Sequence, residues 1–209
     1  MTKNFKFQIS NFKLRAGFTM IELLIVIAVL GVLAVAVLSA INPIEQINRG
    51  RDTGSRSDSE QLLSAFDRYY TSQEKYPWQS TAEADDALVW QVVDTTWKQT
   101  GDTSTTVLEK LSGGAGATTG TEELKKSFTT RITNLDTIYK LRVHMRGNVG
   151  DSAYVCFLAR SGSFKNEANR RCSAAGADAG DLGGGGLPGD LKDIAGTVCV
   201  VLAPYICLP

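Results

Sequence analysis

The sequence has one histidine, four cysteines and no excess of either charge, and each shortage excludes a class of function. The histidine, His144, has no cysteine or carboxylate at metal-ligand spacing, so we predict a surface strand residue and no metal site there. Basic and acidic residues balance at 22 each, which does not indicate a general nucleic-acid-binding surface. No Ser-His-Asp set, phosphate-binding glycine loop or paired carboxylates in a catalytic context are found. We therefore predict a protein that is not an enzyme, with no catalytic residues, metal or cofactor.

Acidic residues are also missing from the N-terminal region, where Glu22 is the first. From Phe18 to Ile41 the sequence runs for 24 residues with no other charge. As a helix this run spans about 36 Å, enough to cross a hydrocarbon core of about 30 Å. Four basic residues precede it: Lys3, Lys6, Lys13 and Arg15. By the positive-inside rule they hold the N-terminus in the cytoplasm, so we predict a single membrane helix with the rest of the chain outside.

Glu22 lies near one end of this apolar run, where an ionised carboxylate is costly unless it has a partner. Cleavage after Gly17 would place a new amino group on Phe18, four residues from Glu22 and on the same helical face. Either charge could then neutralise its counterpart on a neighbouring helix. We predict that Glu22 acts in assembly.

The segment from Gly17 to Val26 begins with Gly17-Phe18-Thr19-Met20-Ile21-Glu22 and continues with apolar residues. It resembles the class III signal of type IV prepilins and of type II secretion pseudopilins. The resemblance implies that a membrane aspartic protease, the prepilin peptidase, cleaves after Gly17. It also implies that the new N-terminal Phe18 is N-methylated. The subunit would then leave the membrane and enter a helical filament.

Further expectations about fold, partners and location follow from the same resemblance. The implied fold is α+β, a long N-terminal helix packed on a C-terminal antiparallel sheet. The implied partners are other pilin subunits, an inner-membrane assembly platform with its cytoplasmic ATPase, and membrane lipid before assembly. The chain would be a single-pass membrane protein with its head outside, and later part of a cell-surface filament. The predicted divisions are a leader (1–17), a membrane and filament-core helix (18–41), its amphipathic continuation (42–75) and a globular head (76–209). Without the leader, the chain has 18 basic and 22 acidic residues.

Other interpretations compete for the same residues. A secretory signal peptide cut near Leu38-Ser39-Ala40 would need a shorter apolar stretch and leaves Glu22 unexplained. A plain signal anchor explains the length of the run but not the spacing from Gly17 to Glu22, and a snorkelling Glu22 requires a position at the headgroups. Two rival functions remain, a membrane-anchored exported binding module (minor pilin, adhesin or DNA-uptake receptor) and an anchored exported enzyme.

Beyond the apolar run, Asn42-Pro43 predicts a break, because proline lacks a donor and crowds the preceding turn. A helix with an apolar face resumes from Ile44 to about Thr71, and Tyr76-Pro77 marks its end, as in many pilins. Three short helices are predicted: one within 83–98, one over Thr105 to Leu111, and one from Thr121 to Phe128, with Glu122 and Glu123 in its first turn.

Two strands are predicted in the second half of the chain. Apolar residues alternate with basic ones from Tyr139 to Arg146, which predicts one core face and one basic face. The basic face is Lys140, Arg142, His144 and Arg146. A basic strand face is more often exposed to solvent than bound to a partner. Nucleic acid is therefore an alternative partner that no other feature of the sequence supports. The second strand, Ala153 to Ala159, is apolar on both sides and is predicted to be central.

The cysteines are Cys156, Cys172, Cys199 and Cys207. Their spacing does not fit a Cys-x-x-Cys zinc or redox pair, and an exported domain favours disulfides. Three pairings are open, and we favour the two sequential pairs, with the second across a hairpin that turns at Ala203-Pro204. Between them lies a loop rich in glycine from Gly176 to Gly189, with four aspartates nearby: Asp178, Asp181, Asp190 and Asp193. We predict a surface loop, with calcium as the alternative.

Overall fold

A computed structural model describes residues 17–81, 87–99, 101, 104–113, 121–147, 151–172, 187–199 and 204–209. The chain divides after Pro43 into two compact units. The first contains helix α1, Met20–Ala40, none of whose residues is buried. The second, Ile44–Pro209, contains the sheet and the remaining helices. This whole unit, which is larger than the predicted head of 76–209, is termed the head.

Helix α2, Pro43–Gln73, begins three residues after α1 ends. Pro43 occupies its first position, where the N–H that proline lacks would have had no helical partner. The predicted break at Asn42-Pro43 is therefore confirmed. The second half of α2 buries Leu62, Ala65 and Phe66, which are completely inaccessible to solvent, against the sheet.

The sheet has four antiparallel strands in the order β1-β2-β3-β4. They are β1 Leu88–Val92, β2 Arg142–Met145, β3 Tyr154–Leu158 and β4 Tyr205–Leu208. Every residue of β3 is buried, as predicted for a central strand. One face of the sheet and the apolar stripe of α2 form a common core, so the predicted α+β fold class is confirmed.

Shorter helices complete the head. They are α3 Val107–Ser112, α4 Lys126–Thr133, α5 Gly162–Cys172 and α6 Ala195–Val198, with 3₁₀ turns at Thr137–Tyr139 and Gly189–Ile194. The helix predicted over Thr105 to Leu111 is confirmed as α3. It starts with a capping box in which Thr106 and Glu109 each accept from the other's backbone N–H.

The helix predicted within 83–98 is wrong, because Leu88–Val92 form strand β1 and no helix lies in the described part of this stretch, from position 87 onward. Its β-branched and aromatic side chains suit a strand, and a continuous apolar run does not separate the two structures by periodicity. The pairing with β2 shifts between Leu88 and Gln91, and Trp90 within this irregularity has a φ of 60°. This bulge makes β1 an irregular edge strand.

The helix predicted from Thr121 begins later than expected, at Lys126. Glu122 has a φ of 54°, in the left-handed region, so no helix can start there. The Leu124 N–H instead donates to the Leu111 carbonyl at 2.8 Å, which fastens this segment to α3. Glu122 and Glu123 therefore precede α4 rather than occupying its first turn.

The basic strand face predicted on β2 is also wrong. His144 is completely buried, and its Nε2 lies 3.2 Å from the Asp190 carbonyl oxygen. The reason is a second layer, which includes Leu191, Ile194 and Val198 and covers this face of the sheet. The Arg142 guanidinium lies 5.7 Å from the centre of the Trp90 ring. Arg142 and His144 are thus part of the packing of the head, whereas Arg146, just after β2, is exposed as predicted.

The disulfides join Cys156 to Cys207 and Cys172 to Cys199, so the favoured sequential pairing is wrong. Cys156 and Cys207 are directly opposite each other on the adjacent strands β3 and β4. Cys199 follows α6 and reaches Cys172 at the end of α5. The expected hairpin from Cys199 to Cys207 requires both cysteines to lie in one pair of strands, whereas Cys199 belongs to the second layer. Ala203, at the expected turn, lies outside the described residues.

Candidate functional site: the segment before helix α1

The bond between Gly17 and Phe18 precedes α1 and lies outside any helix. Both residues are exposed, and 85% of the Phe18 side chain is accessible. A Cβ placed on Gly17 would meet nothing within 4 Å. Among the described residues, none covers the predicted cleavage site.

The Glu22 side chain folds back onto Thr19, the second residue after this bond. Glu22 Oε2 accepts from the Thr19 backbone N–H and from the Thr19 hydroxyl, each at 2.8 Å. In return, the Glu22 N–H donates to Thr19 Oγ1 at 3.2 Å. This reciprocal pair is a capping box, which satisfies N–H groups that otherwise lack a partner at a helix start.

Thr19 is the hydrogen-bond partner of Glu22 that the sequence analysis did not identify. The signal was available, since Thr-x-x-Glu directly before an apolar run is the sequence signature of a capping box. Thr19 fixes the carboxylate of Glu22 at the end of α1, next to the residue that cleavage would expose. Only Oε2 takes part, and Oε1 accepts no hydrogen bond from any described residue.

Helix α1 is long and apolar enough to cross a membrane. It has 21 residues, of which only Glu22 is charged, and it is the one helix in the described part of the chain that meets these conditions. Its Glu22 is the only acidic residue in its first turn, and no basic residue occupies its last turn.

Comparison with known proteins matches residues 12–38 to a family model described as a prokaryotic N-terminal methylation motif. The match includes the residues before the predicted cleavage site, the capping box and most of α1. The chain carries a class III prepilin signal. This motif supports a type IV pilin-like or pseudopilin precursor. No curated protein and no solved structure matches the chain.

The prepilin signal implies processing by a prepilin peptidase and assembly with other pilins. It also fits a membrane-anchored precursor that becomes part of a surface filament. The roles assigned to Gly17, Phe18 and Glu22 individually stay predictions.

Within the head, two carboxylates of α2 hold the start of α5. Asp52, which is completely buried, accepts from the Arg160 N–H at 3.0 Å, and from the Ser161 N–H and hydroxyl at 2.8 and 2.7 Å. Glu45, seven residues earlier and on the same side of α2, accepts from the Gly162 N–H at 3.0 Å. That hydrogen bond is the main reason why the pKa of Glu45 lies below its ordinary value, although burial opposes it. Within the head, these two carboxylates thus connect the first turns of α2 to the start of α5.

Farther along α5, one carboxylate oxygen links α2 with α5. Glu167 Oε1 accepts from Arg56 at 2.5 Å and from Arg171 at 2.7 Å. Burial raises the pKa of Glu167, but the two arginines outweigh it and the pKa is lowered. Arg171 also donates to the Cys207 carbonyl oxygen at 3.2 Å. This network connects α2, α5 and β4.

The predicted loop from Gly176 to Gly189 lies outside the described residues up to position 186, as do Asp178 and Asp181. Asp190 is described, and its carboxylate accepts from the Tyr154 hydroxyl at 2.8 Å. Burial, the hydrogen bond to Asp190 and the negative charge of Asp190 together raise the pKa of Tyr154 to about 12. Among the described residues, no group of three or more side chains suits a metal ion. Calcium binding stays an untested alternative.

Proposed function

We propose that this prepilin is a structural subunit of a type IV pilus-like surface filament. It is anchored in the membrane by α1, cleaved between Gly17 and Phe18, N-methylated on Phe18, and then assembled with other subunits through α1. The observation that carries the proposal is the matched signal, in which an exposed Gly17-Phe18 bond precedes an apolar helix with one carboxylate.

The geometry of Glu22 supports a role in assembly. A carboxylate that is surrounded by apolar side chains or lipid needs hydrogen bonds and a countercharge. Thr19 supplies hydrogen bonds to Oε2 but no charge. The unused Oε1 leaves a position for the Phe18 amine of the same subunit or of a neighbour. We propose that this ion pair sets the axial register between subunits.

The organisation of the head supports export. Both disulfides connect elements that are distant in the sequence, and disulfides persist in oxidising compartments. The alternative role as a DNA-uptake receptor would have used the basic face of β2, which is occupied by packing at His144 and Arg142. This favours the structural role over a DNA-binding one.

The test replaces Glu22 by alanine and, separately, by glutamine, which keeps the size but removes the charge. We expect both variants to be exported, cleaved and folded, and to enter filaments poorly. The measurement compares the subunit in sheared surface filaments with the subunit retained in the membrane, at equal expression. Glu60→Ala, which removes an exposed carboxylate from α2, is the matched control. Equal filament yield for wild type and both Glu22 variants would contradict the proposal.

A further inference from the structure

The described part of the head exposes few large apolar side chains, and most of them are isoleucines. They are Ile44 (68% exposed), Ile47 (55%), Tyr70 (48%), Val89 (74%) and Ile138 (65%). Isolated exposed apolar residues need no explanation, whereas several at one end of a domain indicate a contact surface.

One hydrogen bond and one cation–π contact indicate that the three isoleucines lie at the same end of the head. Ile44 and Ile47 flank Glu45, whose carboxylate accepts from the Gly162 N–H at 3.0 Å. In the segment just before Gly162, the Arg160 guanidinium carbon lies 3.5 Å from the centre of the Tyr139 ring. Ile138 is the neighbour of Tyr139 in the same 3₁₀ turn.

The two other exposed apolar residues lie elsewhere. Val89 follows Leu88, which pairs with Met145 at the end of β2 that is distant from Tyr139. Tyr70 lies in the last turns of α2, about 25 residues beyond Glu45 and roughly 38 Å along the helix. Ile44, Ile47 and Ile138 therefore form a group at one end of the head, separate from Val89 and Tyr70.

The charges at this end nearly cancel. Arg49 pairs with Glu45 at 3.3 Å, and Arg51 is exposed beside Ile47. Asp136 is the exposed acid next to the turn that contains Ile138. The Asp52 carboxylate, which accepts from the Arg160 backbone N–H, balances the charge of Arg160, so these six groups sum to zero and do not demand an anionic partner. Isoleucine beside tyrosine and arginine is instead the composition that favours a lipid interface.

Chain connectivity places the same end near the membrane. Pro43 is three residues beyond Ala40, the last residue of α1, so their Cα atoms are at most about 11 Å apart. Ile44 and Ile47 follow within the first turns of α2. If α1 spans the bilayer, this end of the head is within reach of the headgroup layer.

We propose that the end of the head formed by Ile44, Ile47, Ile138, Tyr139 and Arg160 rests on the outer lipid interface while the precursor is held in the membrane. The isoleucines enter the interface, and the stacked Arg160 and Tyr139 lie at headgroup level. This rests on the membrane-spanning role proposed for α1, and it does not depend on filament assembly.

The experiment uses the full chain in nanodiscs of a zwitterionic phosphatidylcholine that contains a headgroup-linked nitroxide lipid. All four native cysteines are in disulfides, so an introduced cysteine is the single thiol for a fluorescent label. Ile138→Cys is the decisive variant, because it is far from α1 in sequence and only docking brings it to the lipid. Val89→Cys, which replaces an equally exposed residue, is the matched control, and Val29→Cys in α1 reports whether the helix is embedded.

We expect the nitroxide to quench the label at position 138 at least about threefold more strongly than the label at position 89, as for a side chain at the interface. Equal, weak quenching at both positions with an embedded label at position 29 would overturn the docking and leave the membrane anchor intact. A label at position 29 that is not embedded would overturn the spanning role and the docking together.

A second variant tests the isoleucines themselves. In the Ile138→Cys background, Ile44→Asp and Ile47→Asp together should reduce quenching at position 138 towards the level of the Val89→Cys control. Both sites are exposed, so the head should still fold, which the intact disulfides of the purified protein would show. Unchanged quenching would contradict the role assigned to Ile44 and Ile47.

Discussion

Replacing Asp52 by alanine should destabilise the head more than replacing the exposed Glu60 or Asp67 on the same helix. The side chain is completely buried, and it accepts hydrogen bonds from the Arg160 N–H and from both donors of Ser161. Alanine leaves these three donors without their acceptor. Since Ser161 is also fully buried, water cannot replace the carboxylate without rearrangement.

The magnitude follows from the number of donors. Each buried donor left unsatisfied costs about 1–3 kcal/mol, and removal of the buried carboxylate returns part of its desolvation energy. With two donors fully buried and one partly buried, we expect a loss of about 3 kcal/mol. That is a large fraction of the roughly 5–15 kcal/mol that is the typical free energy of unfolding of a whole domain. The variant should therefore be clearly less stable but still folded.

Urea unfolding of the full chain in detergent, followed by tryptophan fluorescence with the disulfides intact, measures the loss. Asp67→Ala is the matched control, because Asp67 is an exposed aspartate on the same helix, and it should change the free energy of unfolding by less than about 0.5 kcal/mol. Asp52→Asn should lie between the two, because it keeps one acceptor oxygen. A loss below about 1 kcal/mol for Asp52→Ala would refute the argument that this carboxylate fastens α5 to α2.

Three further outcomes are expected. The pKa values of Glu45 and Glu167 are lowered in the folded head, so the stability they contribute is complete above their ordinary value of 4.5 and is lost as the pH falls below it. The stability difference between wild type and Glu167→Gln should therefore shrink on acidification, and a constant difference would contradict this. Peptide mapping without reduction should yield the pairs Cys156–Cys207 and Cys172–Cys199, and sequential pairs would show that the arrangement of β4 and α6 is wrong. Intact-protein mass of filament subunits should correspond to a start at Phe18 with one added methyl group, and an uncut leader would exclude the proposed processing.

The features that the sequence predicted well are those in which neighbouring residues decide the outcome. The break at Asn42-Pro43 follows from the chemistry of proline itself. The alternation of Leu141, Val143 and Met145 defines a buried strand face whatever lies beyond it. The prepilin signal is local in the same sense, because its residues form one continuous segment, 12–38.

The features that the sequence did not predict depend on which segments meet in space. His144 alternates with apolar residues and so has the pattern of a surface residue, yet a layer that begins 43 residues later covers it. The disulfide pairing was undetermined because it requires the position of Cys199 relative to α5, which no local pattern contains. In β1, the irregularity at Trp90 comes from pairing with β2, so it too has no local signal.

The head offers an internal comparison for the role of Glu22. Thr106 and Glu109 form a capping box at α3 with nearly the same geometry: the Glu109 carboxylate accepts from the Thr106 N–H and hydroxyl at 2.8 and 2.9 Å, against 2.8 Å for both bonds at Thr19. A capping box by itself therefore stabilises a helix start and does not indicate assembly. What differs is the surroundings, because Glu109 belongs to a folded head and Glu22 to a helix that buries none of its residues in its own chain. If helix capping explained the whole effect of Glu22, Glu22→Ala and Glu109→Ala would leave filament yield equally unaffected once the head is folded. A loss of filaments confined to Glu22→Ala would assign the effect to the charge within the apolar helix and not to the cap.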